Sequence, residues 1–196
     1  MRDGLAIVRA DQPRRAELEA AGWIVVARSF GAGLDHDRLD RDRLGALIAH
    51  AREHVALHEL TSADVDAMLA LDAATGADYP GGVATRHAPL DRTTATPGPA
   101  RRAFGAVAPD GDLVAMTVVD LNGETAETDF TVVHAEWRRR GIGVAVKAAS
   151  LLALDADGVR RFRTGGSAEN AAILAANTAL GYVRDEEWLT LAAPTA

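Results

Sequence analysis

The sequence predicts a mixed α/β fold in which an antiparallel meander is followed by alternating helices and strands. Asp110-Gly111 and Asn122-Gly123 each stand between apolar segments, a pattern typical of tight hairpin turns between antiparallel strands. From residue 143 onward, segments of helical length alternate with segments of strand length. Hydrophobic residues make up 48% of the 196 residues, enough for a sizeable core within one domain, with or without an appendage.

The N-terminal part is predicted to form a strand–helix–strand unit. Its segments are residues 5–10, 12–23 and 23–30, and Pro13 suits the first turn of the helix. The glycine-bearing sequence "GAGLD" at 31–35 is expected to end the second strand.

A further helix, a short strand and a capped helix follow. The first helix is indicated by apolar residues at helical spacing, namely Leu44, Leu47, Ile48 and Ala51. Residues 55–60 suit a strand. Thr61 and Asp64 have the spacing of an N-cap and its N3 acid, which predicts a helix over 62–74.

Residues 75–100 carry most of the prolines and are predicted as a long loop, which in a compact chain is usually functional or mobile. The remaining elements are strands at 101–108, 113–121 and 126–133, then helix 143–156, strand 160–164, helix 169–180 and strand 183–191. The glycine pair in "TGGSAEN" predicts either a flexible turn or one that closely approaches a ligand.

Composition excludes several functional classes. The net charge of −7 argues against nucleic acid as a partner, and the absence of cysteine excludes disulfides, thiolate nucleophiles and cysteine-bound zinc. No segment suits a signal peptide or a membrane span, so we expect a soluble, cytoplasmic protein. His50 and His54 have helical spacing but lack an accompanying acid motif, so no metal is predicted.

A basic, glycine-bearing turn separates the strand that ends near Val133 from the next helix. It reads Arg138-Arg139-Arg140-Gly141-Ile142-Gly143. Glycines allow close backbone approach, N–H groups at a helix N-terminus bind anions, and arginines add charge for phosphate oxygens. A solvated surface cluster is the alternative. A P-loop is excluded because no Gly-Lys-Ser/Thr follows, and a dinucleotide fingerprint because Val146 replaces its third glycine.

This turn resembles motif A of the GNAT superfamily of N-acetyltransferases, Val-x-Pro-x-x-Arg-x-x-Gly-x-Gly/Ala. Val133, Arg138, Gly141 and Gly143 match the pattern, and Ala135 stands where proline is common. One strand later, "ENAAILAANTALGY" is similar to the last helix of that family. The resemblance covers roughly residues 55 to 191.

The resemblance implies a GNAT-like mixed, mostly antiparallel sheet flanked by helices, whose fourth and fifth strands splay apart to admit acetyl-CoA. Backbone amides of the turn would bind the pyrophosphate, with support from the arginines, and the neighbouring strand and last helix would contact the pantetheine arm. The implied binding residues are Val132, Val133, Arg138, Arg139, Arg140, Gly141, Ile142, Gly143, Val144, Asn170 and Asn177.

Catalytic residues are expected on the strand before the turn. Glu127, Asp129, Thr131 and Val133 share one face by period-two alternation. Glu127 stands where many family members carry a glutamate that acts as a base directly or through water, and Asp129 is a second candidate. Alternatively, both acids are the solvated end of a hairpin.

The expected proton donor is missing. Many family members carry a tyrosine at the position of Asn177, and an amide cannot act as a general acid. Tyr79 is a conceivable replacement, because the loop that holds Tyr79 and His87 corresponds to the family's substrate-facing segment. The alternative for this loop is a Pro-Gly turn with an aromatic anchor.

The chain is accordingly predicted to comprise three parts. Residues 1–32 are a truncated βαβ appendage similar to the closing part of a GNAT domain, 33–54 a linking helix, and 55–191 the acetyltransferase domain. The appendage should pack on the main sheet or on a second chain, with a structural or homodimer-forming role. The expected function is acetyl-CoA-dependent N-acetylation of a primary amine on a small molecule or peptide. The alternative is a non-catalytic acyl-CoA-binding module.

Overall fold

A computed structural model describes residues 4–78 and 82–194, except the side chain of Asp78. The strands are β1 (Leu5–Arg9), β2 (Ile24–Asp35), β3 (Ala56–Leu60), β4 (Arg101–Val107), β5 (Leu113–Asn122), β6 (Thr125–Val133), β7 (Arg161–Ser167) and β8 (Val183–Ala192). The α-helices are α1 (Pro13–Ala20), α2 (Arg41–Ala51), α3 (Val65–Thr75), α4 (Arg92–Ala95), α5 (Ile142–Ala156) and α6 (Ala171–Leu180).

The eight strands form one sheet in the order β1-β8-β2-β7-β6-β5-β4-β3. Neighbouring strands are antiparallel except β6 and β7, which are parallel. The predicted fold class is therefore confirmed. Both hairpin turns of the β4–β5–β6 meander form as predicted, with Gly111 at φ 96° and Gly123 at φ 58°, values that favour glycine.

The apolar face of α2 and the N-cap before α3, both predicted from local sequence, are also present in the structure. Leu44, Ile48 and Ala51 are buried on one face of α2. Thr61 and Asp64 form a reciprocal capping box, although the first turn, residues 62–64, is a 3-10 turn from which α3 continues. These contacts satisfy N–H groups that the helix itself leaves unpaired.

The prediction that "GAGLD" ends the second strand is wrong. β2 runs through these residues to Asp35 and lies between β7 and β8, paired with both. A Cβ on Gly31 would lie 2.7 Å from Oε2 of Glu186, so the glycine leaves room for a side chain of β8. The glycines therefore serve close packing within a strand. The N-terminal segment joins the sheet of its own chain, and residues 32 and 33, the predicted boundary, both lie in β2.

The glycine pair before the last helix is also part of a strand. Gly165 and Gly166 lie in β7, where they pair with Gly31 and Phe30 of β2. A Cβ on Gly165 would lie 2.8 Å from the carbonyl oxygen of Phe30. The segment is therefore a strand and not a turn, and the missing side chain of Gly165 makes room for the backbone of β2.

Apolar residues are buried on both faces of the sheet. α2 and α5 pack on one face around a large cluster that includes Leu44, Ile142 and Phe162. α3 covers part of the other face around Met68 and Phe130. Within the described residues, no helix has the length and apolar character needed to cross a membrane.

Candidate active site

The parallel strands β6 and β7 pair over only three residues and then part. Their last pair is Glu127 with Arg163, yet β6 continues to Val133 and β7 to Ser167. The gap opens into a cleft of about 660 Å³ bounded by the two strands, the start of α5 and one side of α6. Backbone groups of β6 on this side have no β7 partner in the described part of the chain, so an extended ligand could hydrogen-bond to them.

A β-bulge lies at the start of the gap. The pairing of β6 with β5 shifts register at Asp129, and such an extra residue interrupts the alternation of side chains. Phe130 and Val132 consequently pack on the α3 side, whereas Val133 packs on the α5 side. The prediction of one shared face for Glu127, Asp129, Thr131 and Val133 is therefore wrong, because the bulge at Asp129 lies between the first and the last of these residues.

The basic turn curls around one end of the cleft. Arg139 and Gly141 have positive φ values of 63° and 73°, and α5 begins directly after Gly141. The positive end of a fifteen-residue helix therefore faces the cleft, where its first N–H groups lack partners within the helix. Successive amides in such a left-handed turn form a concave anion-binding surface.

The three arginines have different positions. Arg138 and Arg139 line the cleft, and Nε of Arg138 donates to the carbonyl oxygen of Val133 at 3.0 Å. Arg140 does not line it: its guanidinium lies 4.8 Å from the ring centre of Trp137 and donates to the carbonyl of Glu136. The predicted contribution of Arg140 to the cleft surface is therefore not supported by its position.

Most of the other predicted binding residues line the cleft, namely Val132, Val133, Gly141, Ile142, Gly143, Val144 and Asn170. A Cβ on Gly143 would lie 3.0 Å from Cγ2 of Val133, so this glycine lets α5 pack closely against β6. Asn170 caps α6 by accepting from the N–H of Ile173, which leaves its Nδ2 group for contact with a ligand.

Asn177 does not line the cleft, contrary to its predicted place among the binding residues. Its side chain is buried, and its Oδ1 accepts a hydrogen bond of 3.0 Å from Nζ of Lys147. Nδ2 of Asn177 has no hydrogen-bond partner within the described residues. Asn177 therefore contacts Lys147 by a hydrogen bond and is not part of the cleft lining.

Lys147 is a site residue that sequence reasoning missed. It lies on α5, is 2% exposed and lines the cleft, where it donates to Oγ1 of Thr164 at 2.9 Å as well as to Asn177. Burial lowers the pKa of Lys147 to about 7. The sequence offered a signal, because Lys147 is its one lysine beside 20 arginines.

A second pocket of about 440 Å³ adjoins the cleft on the far side of the bulge. The N-terminal segment contributes Ile7 of β1 and residues 29–31 of β2 to it, and β8 contributes Glu186 and Trp188. The two cavities share part of their lining, namely Thr85, Thr128, Asp129, Thr164, Gly165 and Gly166. Two ligands, one in each cavity, would meet at this shared lining, which we call the junction.

The predicted catalytic acids both face this region. Glu127 lines the second pocket, is exposed, and has no ion-pair partner within the described residues. Asp129 also lines it, but its carboxylate is held by Arg101 at 2.5 Å. Tyr79 lies outside the described residues. Of these residues, Glu127 is the carboxylate most accessible to a second ligand.

A buried His–Asp pair anchors the loop above the second pocket. Nε2 of His87 lies 2.7 Å from Oδ1 of Asp72, and the other carboxylate oxygen of Asp72 accepts from the N–H of Leu90 at 2.8 Å. The His87 ring stacks on Phe130 with centroids 3.8 Å apart. Asp72, which sequence reasoning also missed, thus ties the loop to α3. In the described part of the chain, no group of three or more His, Asp or Glu residues could hold a metal ion.

Solved structures with a similar fold include GCN5-related N-acetyltransferases. A tandem GNAT protein from the clavulanic acid biosynthesis pathway matches with a TM-score of 0.65 and 21% identity over 98% of this chain. A GCN5-related N-acetyltransferase from Kribbella flavida matches with a TM-score of 0.65 and 18% identity over 98% of this chain and 68% of its own. The chain has the fold of the GNAT superfamily.

The extent of these matches differs between neighbours. The chain covers 64% of the tandem GNAT protein. The ribosomal-protein-S18-alanine N-acetyltransferase of Escherichia coli matches 72% of this chain and 96% of its own, with a TM-score of 0.55 and 17% identity. Neither a protein-family model nor a curated protein matches the sequence.

Proposed function

We propose that the protein is an acetyl-CoA-dependent N-acyltransferase that acetylates a primary amine of a small molecule or peptide. The observation that carries this proposal is the junction, where an elongated cleft ending at a helix N-terminus meets a second pocket. A transferase with two substrates needs such a meeting point, because reacting atoms must be held in contact and in the correct orientation. The GNAT fold of the chain supports the proposal.

The residues of the cleft fit acetyl-CoA. The amides of the turn at residues 138–144 would bind the pyrophosphate, with charge supplied by Arg138 and Arg139. The β7-facing backbone of β6 around Val132 would pair with the amides of the pantetheine arm. When bound, acetyl-CoA would supply an acetyl group activated as a thioester.

The second pocket would hold the acceptor. Glu127 could accept a proton from the amine, directly or through water, which leaves the nitrogen lone pair available for attack. Glu186 adds negative charge but is partly neutralised by Arg163 at 3.0 Å. This lining suits a small cationic or neutral amine. A homodimer through the N-terminal segment is a separate prediction, to be measured by sedimentation.

Binding is tested with a side chain that blocks the cleft without straining the backbone. Ala176 lines the cleft from α6, whereas Ala171 is exposed on the same helix and does not line it. In calorimetric titrations with acetyl-CoA, we expect micromolar binding to wild type and to Ala171→Phe, and loss of binding in Ala176→Phe. Equal affinities for the two variants would contradict the assignment of the cleft.

Catalysis is tested by measuring thiol release from acetyl-CoA in the presence of a panel of primary amines. Glu127→Gln should slow transfer by about 10²-fold or more, the usual contribution of a general base, with unchanged affinity for acetyl-CoA. An unchanged rate would remove Glu127 as the base. Acetyl-CoA binding without transfer to any amine would favour the alternative, a non-catalytic acyl-CoA-binding module.

A further inference from the structure

The one lysine of the chain, Lys147, is buried beside the cleft, and unlike arginine it can lose and regain a proton near neutral pH. Of 21 basic Lys and Arg residues, 20 are arginine, which stays protonated at any physiological pH. Lys147 instead lies on α5, 2% exposed and against the cleft. An arginine there would supply permanent charge, whereas a lysine can give up a proton and take it back.

The contacts of Lys147 hold its amino group in one place. Nζ donates to Oγ1 of Thr164 at 2.9 Å and to Oδ1 of Asn177 at 3.0 Å, and the ring of Tyr182 lies 5.4 Å away. An ammonium has three N–H donors, so these two hydrogen bonds fix its orientation and leave a third donor. Asn177 acts here as a positioning residue, since its oxygen orients the lysine.

This place is next to the junction. Thr164 directly follows Arg163, the last residue of β7 that pairs with β6. Thr164 also lines both the cleft and the second pocket. Nζ of Lys147 is therefore one hydrogen bond away from the surface where, on the proposed function, the thioester meets the acceptor.

We propose that Lys147 is the general acid that protonates the departing sulfur of coenzyme A, an inference that rests on the proposed function. As the amine nitrogen forms its bond to the carbonyl carbon, the carbon–sulfur bond breaks and its electron pair stays on sulfur. Lys147 donates one proton from Nζ to that sulfur and becomes neutral. Glu127 takes the proton that the amine loses. Lys147 then regains a proton from solvent in the cleft, and Glu127 gives its proton to solvent in the second pocket. The products are the N-acetylated amine and the free thiol.

The electrostatics of the position suit this role. Burial lowers the pKa of Lys147 to about 7, so the side chain is a stronger acid than an exposed lysine. An alkyl thiol has a pKa of about 8.5, so proton transfer from Lys147 to a thiolate is favourable. Near neutral pH the neutral amine then recovers its proton from water, as a catalytic acid must.

The proposal is tested through the pH dependence of acetyl transfer, with an amine that the panel identifies as an acceptor. Thiol release from acetyl-CoA is followed against pH for wild type, Lys147→Met and Ser150→Ala, and calorimetry shows whether each variant still binds acetyl-CoA. Ser150 is buried on the same helix but does not line the cleft, so it is the matched control. We expect the rate in wild type and Ser150→Ala to fall above about pH 7, where Lys147 loses its proton. Lys147→Met should be about 10²-fold slower at neutral pH and should lack this fall.

A second measurement uses wild-type protein alone. Because the chain has one lysine, protein made with ¹³C-labelled lysine gives one side-chain signal whose pH titration reports Lys147. In the complex with acetyl-CoA, the pKa of Lys147 from this titration should coincide with the pKa at which the wild-type rate of acetyl transfer falls.

The outcomes separate the two proposals. A Lys147→Met variant that binds acetyl-CoA and transfers the acetyl group at the wild-type rate, with the same pH profile, would overturn Lys147 as the acid and leave the proposed function standing. A wild-type rate whose fall does not coincide with the pKa of Lys147 would do the same. Failure of wild type to bind coenzyme A or acetyl-CoA would overturn the proposed function, and this inference with it.

Discussion

Burial of Lys147 should make the stability of the protein depend on pH in a way that one substitution removes. In the folded state burial lowers the pKa of Lys147 to about 7. In the unfolded chain an exposed lysine has a pKa of about 10.4. Between these values the unfolded chain binds more protons than the folded one, so the free energy of unfolding rises with pH. The cost of the buried amine is fully present below about pH 7 and is relieved as the pH approaches about 10.4.

The size of the effect follows from the two pKa values. A difference of about three pKa units corresponds to roughly 4 to 5 kcal/mol of destabilisation at low pH. Integrated from about pH 6.5 to about pH 9, the free energy of unfolding of wild type should rise by roughly 2 to 3 kcal/mol relative to Lys147→Met. Other titrating groups are common to both proteins and cancel in the comparison.

Urea unfolding of wild type, Lys147→Met and Ser150→Ala at both pH values measures this difference. Methionine keeps the length of the side chain without a titratable group, and Ser150→Ala removes a buried polar group that does not titrate. The Ser150→Ala variant should parallel wild type at both pH values. A wild-type curve parallel to that of Lys147→Met would refute the reasoning, because it would mean that the folded and unfolded states bind equal numbers of protons at Lys147.

Three further substitutions probe the fold around the site. Thr61→Ala removes the cap that precedes α3 and should lower the free energy of unfolding by about 1 kcal/mol in urea titrations. Gly165→Ala places a Cβ 2.8 Å from the carbonyl oxygen of Phe30 in β2 and should lower the free energy of unfolding by about 1–3 kcal/mol. Gly45→Ala, in open space on α2, is the control and should be neutral or stabilising. Equal effects of the two substitutions would contradict the packing argument. Asp72→Ala removes the carboxylate that accepts a hydrogen bond from the Leu90 amide, so hydrogen exchange at that amide should become faster. Unchanged exchange would show that other contacts hold the loop.

Several features could be predicted from local sequence because local physics decides them. The two hairpin turns require glycine at positive φ, and the capping box is a contact between residues three positions apart. The basic turn before α5 is likewise a local structure, with Gly141 at φ 73°. In each case the residues that determine the geometry are neighbours along the chain, so their spacing is visible in the sequence.

The position of β2 could not be predicted in this way. The sequence "GAGLD" looks like a break, because glycine weakens a strand considered by itself. In the folded chain, Gly31 leaves room for Glu186 of β8, and Gly165 leaves room for the backbone of β2. Both contacts join segments more than 130 residues apart, so no local pattern contains them.

The sequence by itself determined the order of the elements apart from α4, and it showed the GNAT-like turn at residues 138–144 and the asparagine at position 177. Only the tertiary structure decided which groups occupy the site. In the folded chain β2 lies beside β7, where it helps to form the second pocket, and Lys147 is buried against Thr164 and Asn177. The physical reason is that desolvation and close packing depend on all the segments that surround a residue. These segments come together only when the sheet is complete.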